Sequence, residues 1–104
     1  MQKLVDNFNN QKNAHKKPMP VSARILDIQS ELGELAKEYL KSTKYGTQEN
    51  NKMSCDFEME FGDILYSLLS LANETNINAE KALKLVIEKY KNRLNLSNQM
   101  GSNF

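Results

Sequence analysis

The sequence predicts an all-α fold, a bundle of helices. Three long segments repeat apolar residues at steps of three and four, the period of a helix with one buried face. No segment alternates with the two-residue period of a strand, and there is no internal repeat or low-complexity tract. Polar, turn-forming stretches separate the periodic segments.

Near the N-terminus, Leu4, Val5 and Phe8 are spaced for a short helical face. The stretch Asn9–Pro20 is polar and ends in Pro18-Met19-Pro20, which punctuates the chain. Ser22 is a candidate cap for the next helix. From Val21 to Lys41, Ile25, Ile28, Leu32, Leu35 and Tyr39 define one apolar face. Asp27, Glu31, Glu34 and Glu38 form a separate stripe, within a sector of roughly 60° centred about 110° from the apolar centre. Lys41–Ser54 carries Gly46 and many polar residues and reads as a loop.

Phe57–Asn73 is the most apolar segment and is expected to be the central, mostly buried helix. Phe57, Phe61, Ile64, Leu65, Leu68, Leu71 and Ala72 make a wide apolar face, and Glu60, Asp63, Ser67 and Ser70 share a more polar edge. The stretch Asn73–Asn78 supplies turn chemistry. Asn78 is placed to cap a last helix from Ala79 to about Leu96. Its core face is Leu83, Ile87, Tyr90 and Leu94, and a neighbouring stripe holds Ala82, Val86, Lys89 and Arg93. The tail 95–104 is polar and is expected to be mobile.

A chain of 104 residues suits one domain, expected over 1–104 with its core at about 21–94. At this size self-association adds useful burial. Fourteen Lys and Arg against thirteen Asp and Glu give a net charge of +1, which offers no support for sequence-independent nucleic-acid binding. Cys55 is the single cysteine, so no intrachain disulfide forms and a reducing compartment fits. No signal-like or membrane-spanning apolar run is evident, so a cytoplasmic location without membrane partners is expected.

Two acidic motifs carry the chemistry. Glu31-Leu32-Gly33-Glu34 and Glu60-Phe61-Gly62-Asp63 each place two carboxylates three residues apart, on one side of a helix. Four carboxylates converging from two helices repel unless a cation sits between them, and hard cations such as Mg²⁺ are held by carboxylates plus substrate phosphates. The competing reading is a solvated acidic face. Against it, the stripe borders the apolar face, and the second pair opens the most hydrophobic helix. Both motifs also carry a glycine, which costs about 1 kcal/mol in a helix and suggests a close approach of the two helices. Lys89 and Arg93 are either a solvated helix end, where cations favour the dipole, or donors for phosphate oxygens. His15, the lone histidine, lies among lysines and is read as a surface residue.

These segments, with Ile77-Asn78, Ala82-Leu83 and Lys89-x-x-x-Arg93, resemble the MazG-type nucleotide pyrophosphohydrolases of the all-α nucleoside triphosphate pyrophosphatase superfamily. The superfamily also holds the dimeric all-α dUTPases. The resemblance spans roughly Val21–Leu94. It implies metal ligands at Glu31, Glu34, Glu60 and Asp63, phosphate contacts from Lys89 and Arg93, and assembly as a dimer or tetramer. The implied reaction is Mg²⁺-dependent cleavage of a nucleoside triphosphate to its monophosphate and pyrophosphate, with Mn²⁺ as a substitute, serving to clear aberrant or excess nucleotides. Glu34 or Glu38 would be the base for the attacking water. Two alternatives stand beside it: a dUTP- or dCTP-selective diphosphatase, and a catalytically silent helical interaction protein of the same fold.

Overall fold

In the computed structural model the described residues form four helices: α1 (Gln2–Lys12), α2 (Val21–Ser42), α3 (Cys55–Glu74) and α4 (Ala79–Ser102). The structure describes residues 1–12, 19–44 and 55–102, the last four without their side chains. No strand occurs among these residues. His15 and most of the loop 41–54 lie outside them.

α3 is the central element, packed along one side by α2 and along another by α1. Ile64, Ser67, Leu69, Ser70 and Ala72 are buried along it. The serines of its polar edge are therefore interior, and one of them fixes the register of α1. Asn9 donates from Nδ2 to Ser70 Oγ at 3.0 Å and accepts from the Tyr66 hydroxyl. Phe8 meets the Tyr66 ring edge-on with centroids 6.0 Å apart. A buried hydroxyl left unpaired costs on the order of 1–3 kcal/mol, so sliding α1 by a turn would be penalised.

The N-terminus of α2 differs from expectation. Ser22 lies inside the first turn, and Pro20 (φ −58°, ψ 148°) occupies the cap position with no side-chain capping bond. Pro20 presets the backbone at the helix entry through its own φ, and its side chain offers the first amides no acceptor. Arg24, one turn on, is buried and reaches Glu74 at the end of α3, Nη2 to Oε1 at 3.0 Å. α2 stops where Ser42 and Thr43 turn their hydroxyls back onto the Tyr39 carbonyl.

α3 ends in a Schellman motif. Asn76 takes a left-handed φ of 59°. The Ile77 amide donates to the Ala72 carbonyl at 2.8 Å and the Asn76 amide to the Asn73 carbonyl at 3.4 Å. Asn78 then caps α4, its Oδ1 accepting from the Lys81 amide at 2.9 Å. α4 does not stop near Leu96. It continues to Ser102, because no proline interrupts Asn95–Met100 and the first glycine is Gly101.

The expected core faces of α2 and α4 are only partly covered. Ile28 and Leu35 are half-buried, but Ile25, Leu32 and Tyr39 are exposed, as is the whole row Leu83, Ile87, Tyr90 and Leu94. The molecule is correspondingly extended, with a radius of gyration of 18.5 Å, where a compact chain of this length has about 13 Å.

The two motif glycines do not mediate a close helix approach within the chain: a Cβ at Gly33 or Gly62 would meet nothing within 4 Å. Alanine at either position is therefore expected to stabilise its helix by up to about 1 kcal/mol through propensity alone. That amounts to a rise of a few degrees in the thermal midpoint. A fall in the midpoint instead would show that the position is covered by another molecule.

Candidate metal centre

α2 and α3 lie side by side, which brings Glu31 opposite the first turns of α3. Glu60 and Asp63, one turn apart, point the same way from α3. The result is a triplet: Glu31, Glu60 and Asp63 each offer a carboxylate oxygen within 4.8 Å of the other two. Glu31 and Glu60 are half-buried, and Asp63 is exposed. The cluster is thus anchored in the helix interface and open to solvent on one side.

The triplet stores electrostatic repulsion. Burial raises the Glu31 carboxyl above its ordinary value, and Asp63, Asp27 and Glu60 add to the rise through their charges; a hydrogen bond with Glu60 also favours the protonated form. This combination of partial burial and converging like charge is what a divalent cation relieves. The donor set fits such an ion, since hard cations take carboxylate oxygens and keep remaining positions for water and substrate phosphate.

A pH dependence follows. Glu31 ionises less readily folded than unfolded, so in chelator-treated protein its contribution to stability is intact below about 4.5, its ordinary value. That contribution is lost as the pH rises through the elevated folded value, because the folded state holds more protons in that window. Denaturant midpoints across that range should fall with rising pH in wild type and much less in Glu31→Gln. Saturating Mg²⁺ should remove the difference.

The other residues singled out in the sequence lie outside the triplet. Glu34, one turn further along α2, is exposed. Glu38 forms an ion pair with Lys41 on its own helix, at 3.5 Å. Lys89 and Arg93 are exposed on α4, with the Lys89 ammonium 5.6 Å from the Tyr90 ring centre. Asp27 belongs to the acidic stripe but to neither motif, yet its charge reaches Glu31. Its place one turn before Glu31 is the signal that connects them.

The helices of the described residues, with a carboxylate triplet between α2 and α3, define a class, the MazG-like all-α fold. The chain belongs to the family described as dUTPase, whose model matches residues 1–103. It is 35% identical over 98 residues to protein YpjD of Bacillus subtilis (strain 168), covering 89% of this chain and 82% of that protein. Among solved structures it resembles the Bacillus-conserved MazG protein, a nucleotide pyrophosphohydrolase, at 31% identity and a TM-score of 0.69, with 86% of this chain and 84% of that one covered. The crystal structure of YpjD from Bacillus subtilis matches with the same identity and TM-score, covering 86% and 89%. No helix among the described residues is long and apolar enough to cross a membrane.

Proposed function

We propose that the chain is a single-domain, Mg²⁺-dependent pyrophosphohydrolase. It cleaves nucleoside triphosphates between the α and β phosphorus atoms, releasing the monophosphate and pyrophosphate. The observation that carries this is the Glu31–Glu60–Asp63 triplet, three carboxylates from two helices within cation-sharing distance. Family membership and the likeness to a nucleotide pyrophosphohydrolase support the hydrolase class.

Glu31, Glu60 and Asp63 would hold the ion, with Glu34 one turn away as a fourth carboxylate. When bound, Mg²⁺ neutralises phosphate charge and eases deprotonation of water. The water's proton passes to a carboxylate of α2, Glu34 or Glu38. Glu38 must first give up Lys41, which makes Glu34 the readier acceptor. Lys89 and Arg93 supply donors for phosphate oxygens, Arg93 by its two-pronged guanidinium. Positioning and charge stabilisation carry the reaction, so no protein nucleophile is needed. The exposed faces of α2 and α4 support self-association as a dimer or tetramer.

The test is a hydrolysis screen that resolves nucleotide products from pyrophosphate. It covers all ribo- and deoxyribonucleoside triphosphates, dUTP and oxidised bases, with and without Mg²⁺ or Mn²⁺. Monophosphate plus pyrophosphate, only with metal, is the expected result. Release of inorganic phosphate alone would mean a different bond and a different enzyme. No turnover on any nucleotide would favour a silent helical binding protein. The dUTPase description of the family model favours one narrower reading, a dUTP-selective diphosphatase, which the same screen separates by ranking the bases.

A further inference from the structure

Gln2 is the one side chain among the described hydrogen bonds that ties the end of α3, the turn after it and the start of α4 together. Its Nε2 donates to Asn73 Oδ1 at 3.0 Å and to the Ile77 carbonyl at 2.7 Å. Its Oε1 accepts from the Ala79 amide at 2.6 Å, capping one of the open N–H groups at the start of α4. Asn73 answers from Nδ2 to the Gln2 carbonyl at 3.0 Å. α1 is itself keyed to α3 by Asn9 and Ser70. The clamp therefore refers the base of α4 to the rigid body of the bundle.

α4 needs such a reference. From Ala79 to Asn98 it buries no side chain: Ala79 and Ala82 are half-buried and the rest are exposed. Arg93 lies fourteen residues beyond Ala79, about 21 Å along the axis at 1.5 Å per residue. A tilt of only 10° at the base swings Arg93 by about 4 Å. Displacements of about 1 Å in a reacting geometry can cost on the order of a hundredfold in rate.

We propose that Gln2 is a positioning residue for the phosphate-binding cations: it sets the angle at which α4 leaves the bundle and so places Lys89 and Arg93. This rests on the pyrophosphohydrolase reading above. Gln2 touches no substrate; it acts through the α3–α4 turn.

Three full-length variants test it: Gln2→Ala, Arg93→Ala and the double variant. Gln2→Ala is expected to lower kcat/KM about tenfold. In the Arg93→Ala background it should cost less than twofold more, because the helix has already lost the cation farther from its base, the one a tilt displaces most. Equal losses in both backgrounds would show a general structural role and overturn the proposal. Gln2→Glu keeps the acceptor for the Ala79 amide but loses both donors, so it separates capping from clamping; wild-type kinetics in it would also overturn the proposal. A second readout does not depend on activity. Spin labels at Ser30→Cys and Lys91→Cys, with Cys55→Ser, in labelled chains diluted into unlabelled protein, report the α2–α4 distance. The distribution should broaden or shift in Gln2→Ala, and an unchanged one overturns the clamp whatever the kinetics. Should wild type hydrolyse no nucleotide, the functional reading fails and the placing of phosphate ligands fails with it. The distance distribution would still decide whether Gln2 directs α4.

Discussion

Asp63→Asn is expected to lower Mg²⁺-dependent turnover by at least about a thousandfold while leaving the helical circular dichroism unchanged. The substitution keeps the shape of the side chain and removes one charge from the triplet. Hard cations are held by charged oxygens, and the ion's service to a phosphoryl substrate is worth several kcal/mol of charge stabilisation, which is about three orders of magnitude in rate. Asp63 is exposed and makes no packing contribution that its amide would lose. Removing a like charge beside Glu31 also relieves repulsion, so the chelated variant should be no less stable than wild type. Wild-type turnover would sink the site assignment, and loss of helicity alongside activity would sink the claim that the residue acts on the ion.

Glu34→Gln in the same assay separates its two candidate roles. A fourth ligand would weaken Mg²⁺ binding by calorimetry together with the rate. A base would leave Mg²⁺ affinity near wild type and lower kcat alone.

The acidic pairs were legible because their spacing is a helix turn, and a turn's spacing survives any packing angle. That Glu31, Glu60 and Asp63 form the tight set, with Glu34 outside it, depends on the axial stagger of α2 against α3, which local periodicity does not encode. The Asn78 cap was readable for a similar reason, being a contact three residues long. The Gln2 clamp was invisible: its partners lie 71 to 77 residues away. The motif glycines misled, because helix propensity marks an unusual residue without saying which neighbour asks for it. The tail past Leu96 was underestimated because a polar helix end carries no apolar period to read.

The apolar faces leave one large expectation. The chain exposes 8610 Å², whereas a compact folded monomer of 11.9 kDa exposes about 6,000 Å². The excess is greater than the roughly 800 Å² per partner that a standard interface buries. Much of it is apolar and in register: Leu83, Ile87, Tyr90 and Leu94 are 43–60% exposed along one side of α4. Contiguous apolar surface of this kind is rare on stable monomers. Wild type should therefore run in light scattering at a multiple of 11.9 kDa, with a thermal midpoint that rises with protein concentration. Ile87→Glu combined with Tyr90→Glu puts two charges into that row and should shift the mass to a single chain. Turnover should fall by about a hundredfold or more in the same variant, although neither residue belongs to the proposed site. Lys89 and Arg93 sit on the helix that Gln2 directs at its base and the assembly would hold along its length, and a cation displaced by a few ångströms no longer meets phosphate. A wild-type mass of one chain at micromolar concentration would overturn this account. So would a monomeric variant with undiminished turnover, since α4 would then need no partner to do its work.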